Sequence, residues 1–120
     1  MLIKSSAVAL IALSMAACSS IPAPKTEMAL SDSAVKDAEL AGAREYAPLE
    51  LRRANEKMDM AKEAMHEEEY EEAKRLAEQA EVDAKLAASK SYSEKSKLAL
   101  QELRESIDLM RSEISRAQGS

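Results

Sequence analysis

Few residues in this chain could do chemistry, and the chief one is a thiol. Cys18 is the only cysteine in 120 residues and His66 the only histidine. Four uses are open to Cys18: a small core residue, a nucleophile, half of an intermolecular disulfide, or an attachment point. A nucleophile needs an oriented base, and the one imidazole lies far along the chain with no evident orienting group. An internal disulfide has no second sulfur. His66 stands beside Glu67, Glu68 and Glu69, side chains that can ligate metal, but no His, Cys or carboxylate set has metal-site spacing. An exposed turn explains His66. The acidic residues of 67–72 suit the positive end of a following helix. The thioethers of Met58, Met60, Met65 and Met110 could bind copper or form an adaptable face, yet Met58 and Met65 fall on an apolar stripe and read as core. No phosphate-cradling glycine loop occurs. An enzyme, a metal site and a cofactor are therefore not expected.

The first residues address location instead. Lys4 is followed by the apolar run AVALIAL (7–13) and the small residues SMAA (14–17), the three parts of a secretory signal. The run is about half the roughly 20 residues that cross a bilayer. Met15-Ala16-Ala17-Cys18 resembles the bacterial lipobox, with Met15 where Leu is usual. That resemblance implies cleavage between Ala17 and Cys18, a diacylglyceryl thioether on Cys18 and a further acyl chain, such as palmitate, on its freed amine. Two or three chains anchor firmly where one does not. In Gram-negative lipoproteins an Asp after the cysteine commonly marks inner-membrane retention. Ser19 there implies the outer membrane, facing the periplasm. Residues 1–17 would then be absent from the working protein.

The elements beyond Cys18 read as helices. The chain lacks Trp and Phe, carries 32% charged residues at net −5, and is rich in Ala, Glu, Lys, Leu and Arg, as long helices are. Losing Lys4 would leave about −6, a balance that argues against nucleic acid and against adhesion to anionic lipid by charge. Residues 18–30, with Pro22 and Pro24, read as an extended tether. SDS (31–33) offers N-cap oxygens, so a first helix is expected over about 32–46, with Val35, Ala38 and Ala41 on one stripe and Gly42 weakening it. Pro48 suits the first position of a second helix, about 48–66. Its stripe, Ala47, Leu51, Ala54, Met58, Ala61 and Met65, is a heptad pattern. The register fails at HEEE (66–69), which predicts a hairpin turn. One continuous helix over 48–117 is the rival, because no Gly or Pro interrupts 66–69. A third helix, about 69–116, opens with Tyr70, Ala73, Ala77, Ala80, Ala84 and Ala87. After SKSYSEKSK (89–97) comes a second, more apolar register: Leu100, Leu103, Ile107, Met110, Ile114 and Ala117. Glu71 with Arg75 and Glu81 with Lys85 are spaced as i, i+4 ion pairs. The expected architecture is all-α: an antiparallel helical hairpin or small three-helix bundle with a long C-terminal helix and coiled-coil-like packing, spanning 31–118.

Three resemblances attach to these residues. Ala61 and Ala64, then Tyr70, Ala73, Ala77 and Ala80, resemble one tetratricopeptide-type helix pair, although Ala77 stands where such repeats place an aromatic. AGAREYAPLELRRANEKM (41–58) with YEEAKRLAEQAEVDAKLA (70–87) resembles an uncharacterised family of small helical bacterial lipoproteins, also found ahead of OmpA-like peptidoglycan-binding domains. That resemblance implies a helical envelope module and no activity. The order of lipobox, polar start and heptads is similar to the murein lipoprotein. That lipoprotein's C-terminal lysine has no counterpart in RAQGS (116–120), so covalent attachment to cell wall is not expected.

A non-enzymatic structural or protein-interaction module at the periplasmic face of the outer membrane follows as the expectation. Its contact surface would be the seam Leu100–Ala117, through self-association or an envelope partner. YAPLEL (46–51) reads as helix-start chemistry with Tyr46 packed across the hairpin. A non-covalent peptidoglycan spacer and a chaperone-like accessory subunit are the other functions considered.

Overall fold

Alanine sets the distance between the helices. Ala47, Ala54 and Ala61 on one segment and Ala73, Ala77, Ala80, Ala84 and Ala87 on the next are all completely buried. Side chains that end at Cβ let two helix axes approach closely, so backbone and Cβ atoms make the dispersion contacts that larger residues make elsewhere. The computed structural model describes residues 21–119. Four helices occur there: α1 (Lys25–Leu40), α2 (Ala43–Tyr46), α3 (Pro48–His66) and α4 (Tyr70–Gln118), and no strand among the described residues. The expected all-α hairpin with a long last helix is what forms.

α3 and α4 are antiparallel. Ala64 and Ala73 share one apolar cluster near the turn, and Leu51 and Ala87 share another at the far end. α1 completes a three-helix bundle and runs in the same direction as α4. Its Met28 packs on the cluster with Ala73, Leu76 and Ala77, whereas its Val35 and Ala38 join the cluster with Ala84 and Ala87. Large core side chains are few: Val35, Leu51, Met58 and Leu76. At about 1.5–3 kcal/mol each, they need the alanine contacts beside them. Pro48 is in the first turn of α3, where its missing N–H is not needed.

The first helix departs from the expected 32–46. It starts at Lys25 and ends at Leu40, and Ala43–Tyr46 forms a separate turn. Residues 25–30, read as tether, are helical, leaving 21–24 as the described non-helical stretch. Ser31 is no cap. It is fully buried inside α1, and its hydroxyl has no hydrogen-bond partner. A serine is small enough to stand in an alanine stripe, which is why the pattern Met28, Ser31, Val35, Ala38 works as a helix face. Gly42 ends α1 rather than weakening it. Its φ of 89° is a left-handed conformation that glycine adopts freely, and its N–H bonds the Glu39 carbonyl at 3.0 Å.

The chain turns at 67–69 as the failed register predicts, so the single-helix rival does not hold. Glu68 has φ 61°. The Glu69 N–H donates to the Ala64 carbonyl at 2.9 Å and the Glu68 N–H to the Met65 carbonyl at 3.3 Å. This is the Schellman pattern, with Glu68 at the position usually held by glycine. On the surface, Glu81 and Lys85 pair at 2.5 Å. Arg75 does not take Glu71. Its guanidinium forks onto both carboxylate oxygens of Glu72, a two-point contact that a single i, i+4 bridge does not match.

These backbone features give signed expectations for thermal unfolding. Gly42→Ala should cost about 1–2 kcal/mol, the left-handed penalty for an L-residue. Glu68→Gly should relieve that penalty and gain about 0.5–1 kcal/mol after the added unfolded-state freedom is deducted. Ser31→Ala should gain about 1 kcal/mol by removing an unpaired buried hydroxyl. Each kcal/mol should move the midpoint by about 4–8 °C.

Candidate interaction surface

α4 has 49 residues and α3 has 19. At about 1.5 Å per residue these are roughly 73 Å and 28 Å, so α3 can flank only part of α4. Burial on α4 ends at Ser91, and from Lys95 to Gly119 every residue is exposed. The second half of α4 is therefore a helical arm that no other described element covers.

The root of the arm is held by charge. Glu50, on the first turn of α3, accepts a hydrogen bond from Lys90 Nζ at 2.7 Å. The Glu50 side chain is only 11% exposed. The Lys90 hydrogen bond and the residue's own backbone N–H hold its carboxyl below the ordinary glutamate value, against the opposing effect of burial. Further along the hairpin, Lys57 donates to Asp83 at 2.6 Å. One turn past Ser91, the Lys95 ammonium lies 5.6 Å from the centre of the Tyr46 ring, within cation–π range. Tyr46 thus reaches across to α4, beside Gly42. Lys95 comes so near Gly42 that a Cβ there would meet its Nζ at 3.0 Å.

The seam residues all lie on the arm, and all are exposed: Leu100, Leu103, Ile107, Met110 and Ile114, from 38% to 60%. Ala117 is exposed as well. Neither α1 nor α3 reaches them. Leu98 and Leu109 are exposed on other sides of the arm. Two further exposed apolar residues belong with the seam, Val82 (65%) and Leu86 (51%). Carrying the Leu100–Leu103 register back by sevens passes through Ser93 to Leu86 and through Ser96 and Ser89 to Val82. That extension is available in the sequence but is hidden by the polar patch 89–97. Val82 and Leu86 face away from the bundle, since Ala80, Ala84, Ala87 and Ser91 on the same helix are completely buried.

Cys18 and Ala17 lie outside the described residues. His66 ends α3, exposed, and no group of three or more His, Cys, Asp or Glu that could hold a metal occurs among the described residues. Met58 and Met65 pack in the bundle, while Met60 and Met110 are exposed. No helix among the described residues is long and apolar enough to cross a membrane.

Residues 26–103 match a family described as a domain of unknown function (DUF4398). A crystal structure of a DUF4398 family protein from Pseudomonas aeruginosa PAO1 is similar, with 41% identity, a TM-score of 0.75, and coverage of 80% of this chain and 99% of that one. No curated protein matches the chain. The family match takes in the whole bundle and the first turns of the arm.

The Glu50–Lys90 contact predicts an acid dependence. A carboxyl whose folded-state value is depressed contributes stability above its unfolded value, near 4.5 for glutamate, and loses it as pH falls through the folded value. Glu50→Gln should lower the unfolding midpoint at neutral pH. The difference should shrink as pH falls below the ordinary glutamate value and vanish once the folded-state carboxyl is protonated, and thermal melts followed by circular dichroism from neutral into acid pH check this.

Proposed function

The chain belongs to the DUF4398 family, and from that premise we propose that it is a non-enzymatic interaction module, held to a membrane by lipid on Cys18. The observation that carries the interaction reading is the arm. An apolar heptad stripe from Leu100 to Ala117 stands wholly exposed on a helix whose first half is closely packed. Water-exposed apolar stripes of this kind mark contact sites, and helical stability in proteins comes chiefly from packing such a face.

The anchor rests on the sequence from Lys4 to Ser19. A short apolar run, small residues at 16 and 17, and a lone cysteine are together what lipidation at Cys18 requires. The reading places the chain on the outer membrane, facing the periplasm, because Ser19 rather than Asp follows the cysteine. Since α1 begins at Lys25, the link from Cys18 to the bundle is short, at most about 20 Å for residues 19–24 if fully extended. The bundle would thus sit close to the lipid, and α4 would carry the seam away from it. The moderately acidic charge, net −5 for the whole chain, fits attachment through acyl chains rather than through basic residues.

Cys18→Ser should abolish incorporation of labelled palmitate and release the protein from the membrane fraction. A variant that stays in the outer membrane shows that residues 14–18 have been misread. Leu103→Glu and Ile107→Glu, at sites exposed in the monomer, should leave the bundle folded by circular dichroism. They should also remove whatever association the full chain makes.

A further inference from the structure

We infer that the occupant of the seam is a second copy of this chain, paired with the first along α4 as a parallel two-stranded coiled coil. This deepens the interaction reading above and rests on it. The stripe is longer than the arm alone. Written as heptads, Leu86, Ser93, Leu100, Ile107 and Ile114 are one core position, and Val82, Ser89, Ser96, Leu103, Met110 and Ala117 are the other. The register spans about five heptads, apolar at Val82 and Leu86 and again from Leu100 to Ala117, with Ser89, Ser93 and Ser96 at the core positions between. Every one of these residues is exposed, so the stripe is free along its whole length. It lies away from the buried face made by Ala80, Ala84, Ala87 and Ser91, so α1 and α3 of both copies would sit outside the pair. Ser89, Ser93 and Ser96 are small and let the axes stay close between the apolar ends.

Residue type selects the number of strands. In the arm the first core position is Leu100, Ile107 and Ile114 and the second is Leu103, Met110 and Ala117. β-Branched residues at the first position, here Ile107 and Ile114, with leucine at the second, here Leu103, favour a parallel dimer over higher oligomers.

Charge selects direction. The flanking position after Ser96, Leu103 and Met110 holds Lys97, Arg104 and Arg111, all basic. The opposite flank holds Ala99, Ser106 and Glu113. An antiparallel pair of arms would set the basic flank of one copy against the basic flank of the other, with Arg104 facing Arg111. In the arm a parallel pair sets Arg104 against Ala99 and Arg111 against Ser106, without like charges. Nearer the bundle it sets Lys85 against Lys90, and each of these lysines is paired within its own chain, with Glu81 and with Glu50. Topology agrees. α1 starts beside the first turns of α4, where Lys74 of α4 meets Glu27 of α1 at 3.5 Å. A parallel pair therefore brings both chain starts to one end, as two copies anchored in one membrane surface require. An antiparallel pair would send them to opposite ends.

Cross-linking through one added cysteine tests this, on the full chain in isolated membranes, where the Cys18 sulfur is taken up as the lipid thioether. Leu100→Cys, Ile107→Cys and Ile114→Cys each place a thiol where a parallel, in-register pair faces itself, and Glu105→Cys places one on the outside. Under mild oxidation the three seam variants should each give a covalent dimer. The parent and Glu105→Cys should not. Adding Leu103→Glu should reduce the Ile107→Cys dimer to the level of the outside control. An antiparallel pair would cross-link at no more than one of the three, and that result overturns the proposal. If none cross-links, yet Ile107→Glu releases a defined protein that co-purifies with the parent, the second copy is wrong and the arm as a contact surface stands. If none cross-links and Ile107→Glu changes no association, both readings fall.

Discussion

Everything in this molecule depends on how closely α3 and α4 can approach. The bundle has few large apolar side chains, and its interior is a ladder of alanines with two serines among them. Such a core works only at short range, because an alanine withdrawn by about 0.5–1 Å loses roughly a quarter to a half of its dispersion contact. The charged contacts stand at the edges of this ladder and hold its register. Lys57 with Asp83 and Lys90 with Glu50 each join α3 to α4 across the hairpin. Neither is fully exposed, so each is screened less than a surface pair.

A mismatch in helix length turns this packing into a surface. α3 flanks α4 only as far as its own first turn, where Glu50 meets Lys90, and α1 extends little further along α4. α4 continues for about as long again without a breaker. The α2 turn closes the bundle at that point, where left-handed Gly42 lets the chain fold back and Tyr46 meets Lys95. The family match, residues 26–103, centres on the bundle, which is the part that one set of packing constraints explains.

Much of this was legible in the residue pattern. The stripes Ala47–Met65 and Tyr70–Ala87 each kept one register, and the loss of register at 66–69 located the turn. What could not be read was how the turn is made, because nothing in HEEE announces that Glu68 will take a left-handed conformation. The capping carbonyls of Ala64 and Met65 determine it. The start of α1 was obscured for a different reason. Pro22 and Pro24 suggested an extended tether, and Ser31 looked like a cap because serine usually competes for backbone hydrogen bonds. In an alanine-type seam, size outweighs polarity, and the buried Ser31 counts as a small residue. The continuation of the arm's stripe to Leu86 and Val82 was masked by three intervening serines for the same reason. The anchor and the seam's occupant depend on groups beyond one folded chain, and packing within that chain does not determine them.

One unbroken helix serves both the bundle and the arm, and this has a mechanical meaning. The chain enters the bundle beside the first turns of α4, and the arm's tip lies at the other end of that helix, about 70 Å away at 1.5 Å per residue. A load applied between the two would run along the axis of α4. It would try to slide α1 and α3 lengthwise past α4 rather than peel them away. Sliding α1 must break its contacts with Ala84 and Ala87 and the Glu27–Lys74 pair together, whereas peeling would break them one at a time. The molecule is thus built as a tie that resists tension best in the direction joining its two ends.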